Sequence, residues 1–220
     1  MIEKINTRSS IVNQESIKSN SRTLNCQDIM LYLCDSVSSV LSEATARKIH
    51  YTPMIQRINE TALRPDIGTF VLFTGSFSGM VVINFPKEAA MEIYNTYMKA
   101  MTIPENEIAT NYTSEEVAGT LGELMNQILG NFTRGMSTTL HSRIQQSQPK
   151  MLTLPHEVKI SINMALDKPK VNRVTFLTQD NNVFYVEFAM DDTEFTVMEG
   201  ENESEEASPD DILESVLGNL

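Results

Sequence analysis

The sequence predicts an α+β fold, a duplicated α-β-β-β unit around a mainly antiparallel sheet with long helices. Three observations predict it. Apolar residues recur at helical spacing in three stretches. Short strand candidates come in runs rather than alternating one by one with helices. Two of those strands are joined by Gly75-Ser76-Phe77-Ser78, a glycine-containing link of hairpin length. Strands in runs joined by short hairpins pair antiparallel. The 220 residues, 41% hydrophobic, suffice for a sizeable core without metal or disulfide staples.

Along the chain, residues 1–22 are polar and weakly patterned and predict a disordered segment. A helix follows from about Cys26 to Ala46, with Ile29, Leu33, Val37, Val40 and Leu41 on one side and Asn25 placed to cap its start. Strand candidates are Thr52 to Ile58, Gly68 to Thr74 and Gly79 to Phe85. Pro86 ends the third, and Lys87 to Met101 predicts a second helix with Ala89, Ala90, Ile93, Tyr94 and Tyr97 on one side. After a polar stretch, Thr102 to Asn111, the order recurs. Thr113 or Ser114 caps a long helix to about Phe132, with a break near Gly130 and a resumption toward Ile144. Strands are then expected at His156 to Ala165, Val171 to Thr178 and Asn182 to Ala189. The folded domain accordingly spans 23–197, and the two halves share little residue identity.

Charge and cysteine usage exclude several classes. The net charge of −12 argues against nucleic acid, whose phosphates need clustered Lys and Arg. Residues 198–220 carry eight acids and no base, so the acidity is mainly a property of this tail and not of a domain face. Within the tail, Ser208 to Leu217 has a helix start signal and apolar residues at Ile212, Leu213, Val216 and Leu217, a short amphipathic helix on an acidic tether. No apolar run reaches the roughly 18–20 residues of a membrane span, and the N-terminus lacks a secretory signal, so the chain reads as cytoplasmic. Cys26 and Cys34 would lie about 12 Å apart on one helix, too far for a disulfide, and read as core thiols. His50, His141 and His156 lack partners at metal-ligand spacing, and no metal site is expected. No P-loop, dinucleotide fingerprint or G-x-S-x-G is present. The thirteen methionines, several on helix faces, read as adaptable core filler.

The informative stretch is Ser114 to Gly135, SEEVAGTLGELMNQILGNFTRG. At about 100° per residue, Val117, Leu121, Leu124, Met125, Ile128 and Phe132 fall within one arc, the core face. Gly119, Glu123, Asn126 and Gly130 gather on the opposite side. Glu123 and Asn126, three residues apart, point the same way and can touch one target together. Gly119 and Gly130 lie about one turn outside the pair on the same stripe, where another protein could approach the backbone closely. An amide can hold a water through its donor and acceptor groups, and a carboxylate can pair with a partner's lysine or arginine. That combination suits positioning a water against a phosphoryl group activated elsewhere, a reaction governed by alignment and electrostatics. On spacing alone the signal is weak, since Glu-x-x-Asn occurs by chance in many helices, and a plain solvated face is the better account of it.

Residues Glu123 to Asn131, ELMNQILGN, resemble the E-x-x-N-x-x-x-G-N signature of the CheC/CheX/FliY family, phosphatases of the chemotaxis response regulator CheY. Gly75 to Phe85 with its following helix resembles that family's hairpin and middle helix, and Met151 to Pro155 resembles the lead into its second strand set. The resemblance covers roughly residues 26–190. The whole chain also resembles an uncharacterised bacterial family of CheX-like proteins of about this length. It implies a CheC-like fold, a CheX-like domain over 23–197, and a hydrolase acting on the phosphoaspartate of a CheY-like receiver domain. Asn126 would orient the attacking water and Glu123 would form a salt bridge with the regulator's lysine. The Mg²⁺ would sit on the partner, so this chain needs no cofactor. The first helix, Cys26 to Ser36, has no second E-x-x-N pair, which by resemblance implies one site per chain and a CheX-like homodimer. The tail segment faintly resembles peptides by which flagellar switch proteins grip CheY. The alternative function is a non-catalytic module of the same fold that engages a receiver domain or a flagellar or signalling complex.

Overall fold

The computed structural model describes residues 21–198, so the expectations for residues 1–20 and 199–220, including the amphipathic tail segment, lie outside the described residues. Thr23–Val197 forms one compact unit. Its elements run β1 (Ser21–Leu24), α1 (Cys26–Thr45), β2 (His50–Tyr51), β3 (Gln56–Arg57), β4 (Thr61–Leu63), β5 (Ile67–Gly75), β6 (Gly79–Phe85) and α2 (Lys87–Ala100). After a single 3-10 turn at Glu105–Glu107 come α3 (Glu115–Thr139), β7 (Ile144–Gln146), β8 (Lys150–Thr153), β9 (Ile160–Ile162), β10 (Pro169–Leu177), β11 (Val183–Asp191) and β12 (Phe195–Met198).

Each helix start is fixed by a local signal. Asn25 Oδ1 accepts from the backbone N–H groups of Gln27 and Asp28, while the Asn25 N–H donates to Asp28 Oδ2, a reciprocal capping box for α1. Ser114 Oγ accepts from Val117 N–H at the start of α3. For α2 the cap comes from a distance: the Lys87 N–H donates to buried Asp66 Oδ2 at 2.7 Å.

The main sheet orders its strands β2-β10-β11-β6-β5-β7, with β3 also on β10 and β8 on β5. Every pairing in it is antiparallel. The halves meet at β6 and β11, from Tyr185 opposite Asn84 to Met190 opposite Gly79. Each half then sends its first strands to the other. β2 and β3 pair with β10, and β7 and β8 pair with β5. A separate ribbon joins β4 to β9, again one strand from each half. The duplication expected from the sequence is therefore present, as a helix followed by five strands, exchanged crosswise about a pseudo-two-fold axis.

Strand alternation places side chains on two faces. On one, Val81 and Ile83 of β6 with Phe176, Phe184, Val186 and Phe188 of β10 and β11 pack under the helices. Phe132 of α3 sits against both Phe73 and Phe188, with ring centroids 5.4 and 6.4 Å apart, and anchors the helix to the sheet. On the other face, Met80 and Val82 pack with Leu63 of β4 and Leu154. Two buried polar groups hold the β4 ribbon there. Asn84 Nδ2 donates to the Ala62 carbonyl at 2.9 Å and its Oδ1 accepts from Arg64 N–H at 2.7 Å. Glu187, fully buried, accepts from Ala62 N–H and twice from the Arg173 guanidinium.

Four sequence expectations are corrected. Of the strand expected over Thr52 to Ile58 only β3, Gln56–Arg57, is regular strand, and β2 ends just before it at Tyr51, because Pro53 has no N–H for the ladder. The segment still follows β10, with Thr52 N–H donating to Thr175 O and Ile58 N–H to Val171 O. The break expected near Gly130 does not occur: α3 is continuous to Thr139, since Phe132 and Met136 extend its buried face beyond the glycine. The expected strand His156 to Ala165 shrinks to β9 on the second face. Strand β1 begins at Ser21, inside the segment read as disordered.

Cys26 and Cys34 are free and buried. Burial pushes the Cys26 thiol up from 9.0 to about 11, with Lys170 and an Asn172 hydrogen bond opposing, and it raises Cys34 as well. A folded-state value above the unfolded one gives stability that is whole below about pH 9 and is lost as pH rises toward 11. The urea midpoint should therefore fall over that range, and less so in Cys26→Ala; a flat midpoint would refute the burial argument. Asn84→Ala should lower the unfolding free energy by about 1–3 kcal/mol in urea titration, because it strands the Ala62 carbonyl and the Arg64 N–H.

Candidate functional site

Helix α3 divides into two faces. Val117, Leu121, Leu124, Met125, Ile128, Leu129, Phe132 and Met136 are buried against the sheet and α1. The opposite side holds Gly119, Glu123, Asn126 and Gln127, all exposed, with Gly130 half-buried. The predicted pair is thus side by side and open. Gln127 Nε2 donates to Glu123 Oε1 at 3.4 Å, a long hydrogen bond, and the carboxylate's second oxygen has no partner among the described residues. Around the sites where a Cβ would stand on Gly119 and Gly130 no atom of another described element lies within 4 Å, so packing among the described residues does not require either glycine. Gly122 differs, facing Met151 Sδ of β8 at 3.4 Å.

The pair forms a ridge between two hollows. On one side a groove of about 870 Å³ is walled by the ends of α1 and α2, with Glu43, Tyr97 and Met101 facing Gln127, Asn131 and Arg134 of α3. Met101 is 56% exposed at its rim. On the other side a smaller hollow of about 440 Å³ is bordered by Gln148 and Pro149, ahead of β8. Glu123 and Asn126 line both. An amide and a carboxylate raised on a ridge, flanked by space and by two bare backbone positions, can be reached by a convex group on another molecule.

Sequence reasoning missed the groove walls. Gln127 could have been found, being one turn from Glu123 on the same helix. Met101 and Glu43 come from other helices, and only tertiary packing brings them near. Arg134 lies two turns beyond Asn126, outside the stripe that the sequence singled out.

Pseudo-symmetry gives a comparison within the chain. The buried positions Cys26, Met30, Leu33, Cys34, Val37 and Leu41 of α1 match Val117, Leu121, Leu124, Met125, Ile128 and Phe132 of α3 in spacing. That alignment sets Tyr32 and Asp35 where α3 has Glu123 and Asn126. Asp35 Oδ1 accepts from Tyr51 Oη at 2.6 Å, and burial together with this bond raises the Tyr51 phenol. The α1 position offers no amide, and its carboxylate is engaged within the fold. Among the described residues no group of three or more His, Cys, Asp and Glu side chains is placed to hold a metal ion, and no helix is long and apolar enough to cross a membrane.

Comparison with solved structures supplies the fold. The chemotaxis protein CheX from Desulfovibrio desulfuricans superposes with a TM-score of 0.61 at 18% identity, covering 74% of this chain and 99% of that one. A CheX-CheY-BeF3-Mg²⁺ complex from Borrelia burgdorferi gives 0.53 at 19% identity, covering 75% and 99%. FliY of Thermotoga maritima gives 0.55 at 19%, covering 74% and 85%. The CheC/CheX fold is thereby shown. No curated protein matches the sequence. Residues 20–219 match the family described as protein of unknown function, DUF3334, and the chain belongs to that family.

Proposed function

We propose that this chain is a CheX-like phosphatase that hydrolyses the phosphoaspartate of a CheY-like receiver domain, in chemotaxis or other two-component signalling. The observation that carries the reading is the exposed, adjacent pair Glu123 and Asn126 on an unobstructed ridge of α3. The fold, shared with a CheX that has been solved in complex with CheY, supports it.

In this reading Asn126 is the catalytic residue. Its side-chain amide orients a water in line with the phosphorus. The water oxygen attacks, the bond from phosphorus to the aspartyl oxygen breaks, and the partner recovers its carboxylate as inorganic phosphate leaves with the water's proton. Such a step needs alignment more than a strong base. Glu123 pairs with a lysine of the receiver and fixes register. Gly119 and Gly130 admit the partner's surface to the helix backbone. The Mg²⁺ would be held by the receiver and not by this chain, and would supply charge neutralisation at the phosphoryl group. The engaged Asp35 on α1 supports one site per chain, which a CheX-like homodimer would present twice.

Asn126→Ala should abolish the accelerated loss of phosphate from phosphorylated receivers while the unfolding free energy from urea titration stays within about 0.5 kcal/mol of wild type, as for an exposed position. Receiver lifetimes that wild-type protein leaves unchanged, across all receivers of its host, would leave only a non-catalytic binding role. Gly119→Ala and Gly130→Ala separate docking from folding. Each should stabilise the protein by about 0.5–1 kcal/mol through helix propensity, yet slow dephosphorylation several-fold at low receiver concentration. Unchanged kinetics in both would remove the glycines from the contact surface.

A further inference from the structure

We propose that a small molecule carrying two or more phosphate charges, of the pyrophosphate or nucleotide class, binds in a cationic hollow on the sheet face away from the helices. The hollow, about 740 Å³, is lined by Arg57, Asn59, Glu60, Arg64, Lys159 and Arg173. It lies where β3, the ends of β4 and β9, and β10 meet. The volume falls within the roughly 300–1,000 Å³ usual for small-molecule sites. A chain of net charge −12 thus places four of its seventeen basic residues in one concavity.

The charges there do not cancel. Glu187 is fully buried and its oxygens are committed: Oε1 to Arg173 at 2.6 and 3.0 Å, Oε2 to the Ala62 N–H at 2.9 Å. Arg64 Nε stands 3.6 Å from the same Oε1, buried and with no hydrogen-bond partner among the described residues. One carboxylate therefore faces two guanidinium groups. Glu60 takes Lys159 at 2.8 Å and Ser161 at 2.9 Å, and those bonds, with Arg64 nearby, hold its carboxyl below the usual range. Arg57 is exposed and forms no ion pair among the described residues.

Four cations against two spoken-for carboxylates leave an excess that a ligand with at least two negative charges would neutralise. Arginine favours phosphate, since its planar fork matches two phosphate oxygens at once. Arg57 and the outward edge of Arg64 supply such forks, and the Asn59 and Asn163 amides at the rim add donors and acceptors. Arg173, held by Glu187 and lying over the Tyr185 ring at 5.6 Å, is a fixed floor and not a mobile ligand arm. The site is independent of Glu123 and Asn126, which stand on the opposite side of the sheet.

Titrating the full chain with pyrophosphate and with ATP at constant ionic strength, by calorimetry and by thermal unfolding, tests the proposal. Both should bind saturably and raise the melting temperature. Arg57→Gln, at an exposed position without an ion pair, should keep the fold and weaken binding about tenfold or more, the loss expected for one charged hydrogen-bonding group. Asn126→Ala should bind as wild type does. Absence of saturable binding, a response equal to that of added chloride, or affinity unchanged in Arg57→Gln would overturn it. So would capture of an acidic peptide by a protein that ignores pyrophosphate and ATP.

Discussion

The structure depends on the antiparallel seam between β6 and β11. There each half pairs the fifth strand after its helix with that of the other half, and the two strands occupy the centre of the main sheet. Buried on both faces, they supply the floor for the helices on one side and for the β4–β9 ribbon on the other. With the seam in place, the outer strands have no choice but to cross: each half's own hairpin already fills one edge of the seam, so its leading strands complete the far side. The result sets α1 and α3 next to one another over a common aromatic floor, and that arrangement gives α3 an outward ridge in place of a second buried face.

Helix α3 shows how tertiary packing outweighs local propensity. It carries Gly119, Gly122, Gly130 and Gly135 within 25 residues, each unfavourable by about 1 kcal/mol relative to alanine. Eight buried side chains offset that, with Phe132 wedged between Phe73 and Phe188. The same balance explains why the glycine-based expectation of a break failed: the buried residues on both sides of Gly130 keep the register that a local weakening would have released.

What the sequence revealed was what short-range periodicity encodes. The cap at Asn25, the hairpin of β5 and β6, and the split of α3 into a core arc and a polar stripe all follow from residues within one or two turns of each other. The exposed placement of Glu123 and Asn126 belongs to that class. Strands β7 and β8 escaped because they are short edges with few buried residues, held by backbone bonds that leave no side-chain pattern. Glu187 escaped for another reason. In Val183-Phe184-Tyr185-Val186-Glu187-Phe188 it sits at an outward position of an alternating strand, and only the ribbon from β4 and β9, contributed by both halves, covers it. The groove walls at Met101 and Glu43 likewise arise from helices far apart in the chain.

The crosswise exchange has a consequence for synthesis. As the polypeptide leaves the ribosome, Tyr51 emerges long before Phe176, the residue it pairs with, and Arg57 before Asn172. Contacts between distant segments form slowly because the intervening loop must close first. The early half is thus obliged to remain an open, partly apolar sheet edge until nearly the whole domain has been translated. A chain cut off before β10 would leave β2 and β3 without the strand they pair with.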